Sequence, residues 1–496
     1  MLVFARIVLA AAAVPSLACA ADSVTVYSSA PPGTLDTRTL RNFGEAGGLP
    51  GYAVVREERP FVLKEGRNAL RVDDVPALID PTTVSFTSLT DPQGTRVVEQ
   101  SFEFDLTSRA TLLARYLGRE ITVEQPRGDG VESVTGVLLS TEGGLTLRQP
   151  DGGVRILGAL SGVRLPALPE GLISRPALVW DVEARHAGPQ RARFSYQTGG
   201  MTWWADYNLT YVEPRPGACR VDVGAWVTLV NQSGATLADA RVKLIAGDVQ
   251  RAPRPAYALP RTLAARGMEE KAPGFREKSF FEYHLYTLGR TTTLASNSTK
   301  QIELFPTAPG VACEKKLVYR GAAAAPPPLD APIVDRGYGV GSNRKVDVYL
   351  KLVNSKANGL GVPLPAGRVR VSRADESDGA LEFIGEDVID HTPRDETVQV
   401  RLGSAFDVVG ERRQLAFHVD RAARSMEEEI EVKVRNRKTG EPVAVVVRES
   451  LYRWANASIV KRSQDFVRRD AGTIDFPVQV PPNGEAAVRY TVRYTW

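Results

Sequence analysis

A chain whose apolar side chains recur at every second residue is committed to strands, and most of this sequence keeps that rhythm. The stretch "EIEVKV" puts Ile430, Val432 and Val434 on one face and Glu431 and Lys433 on the other. "VRYTVRYTW" repeats the pattern at the C-terminus. Helical signals are few. The clearest is "SRATLLARYLG", where Ser108 is placed to cap and Leu112, Leu113, Tyr116 and Leu117 fall on one stripe. After it, "REITVEQ" and "TGVLLSTEGGLTLRQPDGGVRILG" read as short strands broken by Gly-Gly and Asp-Gly turns. A helix feeding such a meander predicts a small Sm-like or SH3-like barrel over about residues 108–166.

A weak repeat follows. "TLVNQSG", "KLVNSKANG" and "KVRNRKTG" each run an alternating strand into an Asn and reach a Gly soon after. Asn tolerates left-handed backbone and bonds its own turn, so Asn231, Asn354 and Asn436 are expected to end strands. Three such units point to stacked β-sandwich modules of immunoglobulin-like type. The 496 residues exceed what one hydrophobic core organises. The expected fold class is all-β and multi-domain: immunoglobulin-like β-sandwich modules, a small barrel and one short helix in the N-terminal part.

The first twenty residues stand apart. Arg6 supplies a positive charge, Ile7 to Val14 form a short apolar run, and Ala18-Cys19-Ala20 offers small residues for cleavage. This predicts a secretory signal peptide over 1–20, with Cys19 raising a lipid-anchored alternative. The remaining segments expected are an N-terminal β domain over 21–175 holding the barrel, and a central sandwich over 176–320. A linker over 321–332 and a C-terminal sandwich over 333–496 complete the chain. Residues 250–278, rich in Pro, Arg and Ala, read as a long mobile loop, and "AAAAPPPLDAP" has linker composition.

Loss of Arg6 takes the formal charge from +4 to +3, near neutral for this size and without the basic patch that nucleic acid demands. No later segment is apolar enough for a transmembrane helix. Of three cysteines, Cys219 and Cys313 remain after cleavage, and export predicts a disulfide between them.

Chemistry is sparse. "EDVIDHTPRDE" packs five carboxylates and one of four histidines into eleven positions, making Asp390, His391 and Glu396 the candidates for an acid–base or metal site. The Thr392-Pro393 break and the strand patterns on either side favour a polar turn instead, and no HExxH spacing occurs. In "YQTGGMTWWADY", adjacent Trp203 and Trp204 must point to opposite faces of a strand. One is expected in the core and the other more exposed; the favoured reading is a hairpin whose Gly199-Gly200 turn feeds a core strand, and the alternative is a platform for carbohydrate or peptide built on the outward ring. "GYGVGSNRK" is glycine-rich and basic but lacks the P-loop order, so it reads as a loop. Asn297-Ser298-Thr299 fits a glycosylation sequon. The terminal aromatic of "RYTVRYTW" raises an outer-membrane β-barrel, whose outward apolar band the other strands do not repeat.

As a set, "YQTGGMTWWADYNL", "AWVTLVNQSGATLADARVKLIAGDV", "FEYHLYTL", "KQIEL", "NGLGVPLPAGRVRV", "FIGEDVIDHTPRDE" and "LGSAFDVVGER" resemble the bacterial family called domain of unknown function 4139. "REERPFVLKEGRNALRVDDVPALIDPTTVSF" and "EQSFEFDLTSRATLLARYLG" are similar to the N-terminal part of related proteins. Some relatives, described as mucoidy-inhibitor-like, carry a long coiled coil that this chain replaces with the expected barrel. The resemblance implies an exported, all-β bacterial protein and supplies no catalytic residues. The reading favoured by the sequence is a cofactor-free envelope protein that works by binding an envelope protein, peptidoglycan or polysaccharide, in the periplasm or at the cell surface. The alternatives are a hydrolase around Asp390, His391 and Glu396, and an outer-membrane barrel or lipid-anchored form.

Overall fold

The computed structural model describes residues 19–496 apart from 21–22, 29, 32, 36–48, 104–108, 128–129, 159, 168–175, 216, 248, 250–274, 281–282 and 323–329. The apolar run of the leader, the capping Ser108 and most of the 250–278 loop and of the linker lie outside those residues. The described chain is almost wholly strand. From the N-terminus come β1 (Cys19–Ala20), β2 (Ser23–Ser28), β3 (Gly51–Leu63), β4 (Gly66–Val72), β5 (Ile79–Ser88) and β6 (Thr95–Glu103). The short helix α1 (Arg109–Arg115) precedes β7 (Glu120–Arg127), β8 (Gly130–Ser140), β9 (Leu145–Arg148), β10 (Val154–Leu157) and β11 (Gly162–Arg164). Then follow β12 (Ala177–Ala184), β13 (Gly188–Thr198), β14 (Met201–Val212), β15 (Cys219–Asn231), β16 (Leu237–Ala246), β17 (Phe275–Phe280), β18 (Tyr283–Leu294) and β19 (Ser298–Arg320). The last third holds β20 (Lys345–Val353), β21 (Gly367–Ala374), β22 (Leu381–Ile389), β23 (Thr397–Asp420) and β24 (Ser425–Asn436). It closes with β25 (Val443–Ser450), β26 (Ala457–Arg462), β27 (Val467–Arg468), β28 (Thr473–Val480) and β29 (Glu485–Thr495).

The predicted small unit is present as a five-stranded sheet of order β10-β9-β8-β7-β11, entered through α1. It has its own core of Leu113, Tyr116, Ile121, Val123, Leu138 and Leu147. Leu117, expected on the helical stripe, is instead 47% exposed, because the helix stops at Arg115 and Gly118 turns the chain at φ 77°. Tyr116 fastens the far end by donating its hydroxyl to the Ala167 carbonyl at 2.5 Å.

Strands from the N-terminal and central segments share one sheet, β17-β18-β16-β2-β3-β13-β5, with β1 beside β16. A three-stranded sheet, β4-β12-β6, lies apart from it in the ladder. The largest sheet has thirteen strands and joins the central segment to the C-terminal one. Sheet membership therefore runs across the segment bounds at 175/176 and at 321–332.

Within this arrangement one unit occurs three times. It is made by β15, β16, β18 and β19, then by β20, β21, β22 and β23, then by β24, β25, β28 and β29. In each, the first and last strands pair antiparallel and so do the middle two. β19 also pairs with β20, and β23 with β24, so the outer strands join into one ladder, β15-β19-β20-β23-β24-β29. The strands that serve two units are the long ones, 23 residues in β19 and 24 in β23.

The three Asn residues of the sequence repeat sit at the same corner of each unit, and all are buried. Asn354 Nδ2 donates to the carbonyls of Val362 (2.7 Å) and Pro393 (2.9 Å), and its Oδ1 accepts from Gly361 N–H (3.1 Å). Asn231 Nδ2 likewise reaches Ala235 and Leu294, while its Oδ1 takes Ser233 N–H. Asn436 reaches Glu441 and Pro481, and takes Lys438 N–H. One bond closes the loop after the unit's first strand, and the other pins the turn before its last. Those turns each contain a left-handed residue, Asn297 (φ 52°), Asp395 (φ 63°) or Asn483 (φ 47°). Asn and Asp are the non-glycine types that adopt this backbone at least cost.

The third unit carries charge in its core. Arg412 bonds Glu449 at 2.8 Å and Arg453 bonds Glu428 at 3.0 Å, with all four side chains almost fully buried. Arg453 also donates to the carbonyls of Ile333, Asp335 and Tyr338, and Arg412 to that of Gly339. The "GYGVGSNRK" loop is thus a strap whose carbonyls solvate two buried guanidinium groups. Gly339 is required there: its φ is 74° and a Cβ would stand 2.4 Å from the Tyr452 ring. Tyr490 and Tyr494 of the C-terminal strand point into this core, the Tyr490 hydroxyl donating to Glu449 at 2.5 Å.

Cys219 and Cys313 are directly opposite in the β15–β19 ladder and form a disulfide with a Cα separation of 4.9 Å. Among the described residues, no helix is long and apolar enough to cross a membrane.

Candidate functional site

The alternation of β14 sends Trp203 inward, where it is 3% exposed in the main core, and Trp204 outward. The outward ring is not bare. Leu49 and Val230 pack against it, and its Nε1–H donates to Asp206 Oδ2 at 2.7 Å. The same carboxylate accepts from the Thr228 hydroxyl at 3.1 Å and from Arg370 at 3.3 Å. Gln301 extends the chain by donating to Thr228 at 3.2 Å. Asp206, itself 8% exposed, is therefore a fully engaged strut that fixes one tryptophan, one arginine and one threonine on the outer face of the sheet.

The exposed aromatic on this face is a residue that sequence reasoning passed over. Trp226 stands directly opposite Asp206 on one side and Glu303 on the other, and is 41% exposed. Its neighbours along β15, Ala225 and Val227, are buried, so the strand turns its aliphatic set inward and this one indole outward. Two positions along the same face is Gly224, opposite the exposed Asn208, so the strand itself raises no side chain beside the ring there. In the ladder Glu303 stands opposite Trp226, and Asn208, Arg370 and Gln301 occupy nearby positions on the neighbouring strands. A flat ring ringed by amide, carboxylate and guanidinium groups stacks on an apolar face while neighbouring groups bond its polar rim. The available signal was an isolated Trp at an outward position of a strand whose inward residues are all aliphatic.

Asp390, His391 and Glu396 lie together on the turn between β22 and β23, all three exposed. The turn is built by other means. Leu364 and Thr392 exchange both backbone bonds at 2.9 Å, and Asn354 holds Pro393 from below. Asn354 N–H donates to Glu396 O, and Asp395 N–H to Asn354 O. His391 Nδ1 accepts the Ala366 N–H at 3.0 Å. The bond found at Asp390 is from the Thr392 hydroxyl to its backbone carbonyl, and the amide group that gathers the turn belongs to Asn354. Among the described residues, no group of three or more His, Cys, Asp or Glu is placed to hold a metal ion.

Comparison of the chain with protein-family models, with curated proteins and with solved structures finds no match.

Proposed function

We propose that this chain is an exported bacterial envelope protein that binds glycan, a surface polysaccharide or the sugar strand of peptidoglycan, through the sheet face centred on Trp226. The observation that carries the reading is that indole, 41% exposed on a face where Asp206 holds Trp204, Thr228 and Arg370 in place. The leader-like first twenty residues and the Cys219–Cys313 disulfide support export, since disulfides persist in oxidising compartments. The resemblance to domain of unknown function 4139 points the same way. The work of the protein is binding, and Asp390, His391 and Glu396 serve the turn they occupy.

The test is co-sedimentation with insoluble peptidoglycan and affinity electrophoresis in gels cast with envelope polysaccharides. Wild-type protein should be retained by at least one of them. Trp226→Ala should weaken that retention about tenfold or more while leaving the melting temperature unchanged, as expected for an exposed aromatic anchor. Equal retention of Trp226→Ala, or no retention of wild type on any glycan, sinks the proposal.

A further inference from the structure

At one end of the second unit the strands leave a cavity of about 230 Å³. Leu350 from β20, Ile384 from β22 and Leu402 from β23 give it an apolar wall. Tyr211 from β14, Lys315 from β19 and Arg373 from β21 give it a polar one. The lining carries two cations and no carboxylate. We infer that this cavity receives the free C-terminal carboxylate and the small apolar last side chain of a peptide.

Arg373 is poised for this. Its guanidinium sits 5.9 Å from the centre of the Tyr211 ring, and its ion-pair partner is Glu376 at 2.8 Å, whose side chain is 86% exposed. An ion pair so open to water contributes little, so a ligand carboxylate displaces it at low cost and gains the two-pronged bond a planar guanidinium makes. Glu213 is already engaged by the Tyr211 hydroxyl (3.0 Å), the Gly217 N–H (3.0 Å) and Lys315 (3.6 Å), and Asp347, which pairs with Arg401 at 2.8 Å, accepts from the Ser404 hydroxyl at 3.4 Å; neither acid lines the cavity. Burial, with Glu213 beside it, pushes the Tyr211 phenol up to about 12, so it remains a hydroxyl at neutral pH.

Size restricts the guest. Sites for drug-sized molecules run to about 300–1,000 Å³, so the cavity encloses one terminal residue and leaves the preceding ones outside. The lining strands β22 and β23 also carry exposed aromatics: Phe383, next to Ile384, is 61% exposed, and Phe406, two residues beyond lining Ser404, is 94% exposed. Single apolar residues on a surface mean little, but two exposed phenylalanines on the strands that also line a cationic, apolar-walled cavity suit a peptide leading into it. This site is separate from the Trp226 face and stands or falls independently of it.

Isothermal titration calorimetry on the full chain, with N-acetyl-glycyl-leucine as free acid and as C-terminal amide, tests the assignment. The acid should bind, and the amide should bind about tenfold more weakly or worse, the usual scale for losing a charge-assisted bidentate contact. Arg373→Gln should weaken the acid by a similar factor without lowering the melting temperature, Lys315→Gln should weaken it less, and Trp226→Ala should change nothing. Equal affinities for acid and amide, no heat with the acid, or an unaffected Arg373→Gln protein would each overturn the proposal. Acetate binding as tightly as the peptide would also overturn it, because the apolar wall would then contribute nothing.

Discussion

Asn354 shows how much a single side chain settles in this molecule. Its buried amide closes a loop and anchors a turn with three bonds. Replacing it with Ala leaves two carbonyls and a buried N–H without their partner, at a cost of about 3 kcal/mol in urea-denaturation free energy. His391→Gln, on the exposed side of the same turn, should change that free energy by no more than about 0.5 kcal/mol. If His391→Gln proves the more damaging of the two, the turn has a role that its hydrogen bonds do not explain. The strand-ending role of Asn231, Asn354 and Asn436 was legible because Asn followed by a nearby Gly is local chemistry. Their reach to Leu294, Pro393 and Pro481 was not, since those partners lie 63, 39 and 45 residues away. Trp226 was missed for a related reason: its exposure depends on what the neighbouring strands leave uncovered.

At the scale of elements, the β25–β28 pair is locked by a two-pronged bond from Arg448 to Asp475, both contacts at 2.8 Å. Burial pulls the Asp475 carboxyl up, but bonds from Arg448 and Arg469 outweigh that and hold it below the usual range. A carboxyl lowered by folding stabilises the native state above its unfolded value, near pH 4, and loses that contribution as pH falls through the lower folded one. Urea midpoints should therefore respond little to this group between neutral pH and about pH 5, then fall toward about pH 3. Asp475→Asn should start lower at neutral pH and fall less steeply in that acid range. An equally steep acid limb in the mutant would mean that other carboxylates dominate. Alternation made these strands readable one at a time. Which strand each would meet was not, as with β19, which pairs with β15, β20 and β25 in turn.

At the scale of the whole molecule, the sharing of β19 and β23 makes the units interdependent. The main core draws residues from Val24 to Val400, so the central segment alone lacks Leu350, Leu352, Val369, Val371, Val398 and Val400, which pack within that core. Residues 176–320 expressed by themselves should show little amide-exchange protection and no cooperative melt, because a fragment without its covering strands cannot bury its apolar face. A sharp thermal transition in that fragment would refute the interdependence. The sequence by itself determined the all-β class, the helix-led small unit, the three Asn corners and the feasibility of the Cys219–Cys313 bridge. Each of those follows from spacing, turn chemistry or the presence of two cysteines beyond the leader-like segment, which act over a few residues or demand no particular neighbour. Tertiary structure alone decided that three units fuse into one ladder, that Trp226 stays bare while Trp204 is covered, and that Tyr211, Lys315 and Arg373 converge. Strand partners and surface exposure are properties of distant segments brought together, and a two-residue period carries no information about which segments those will be.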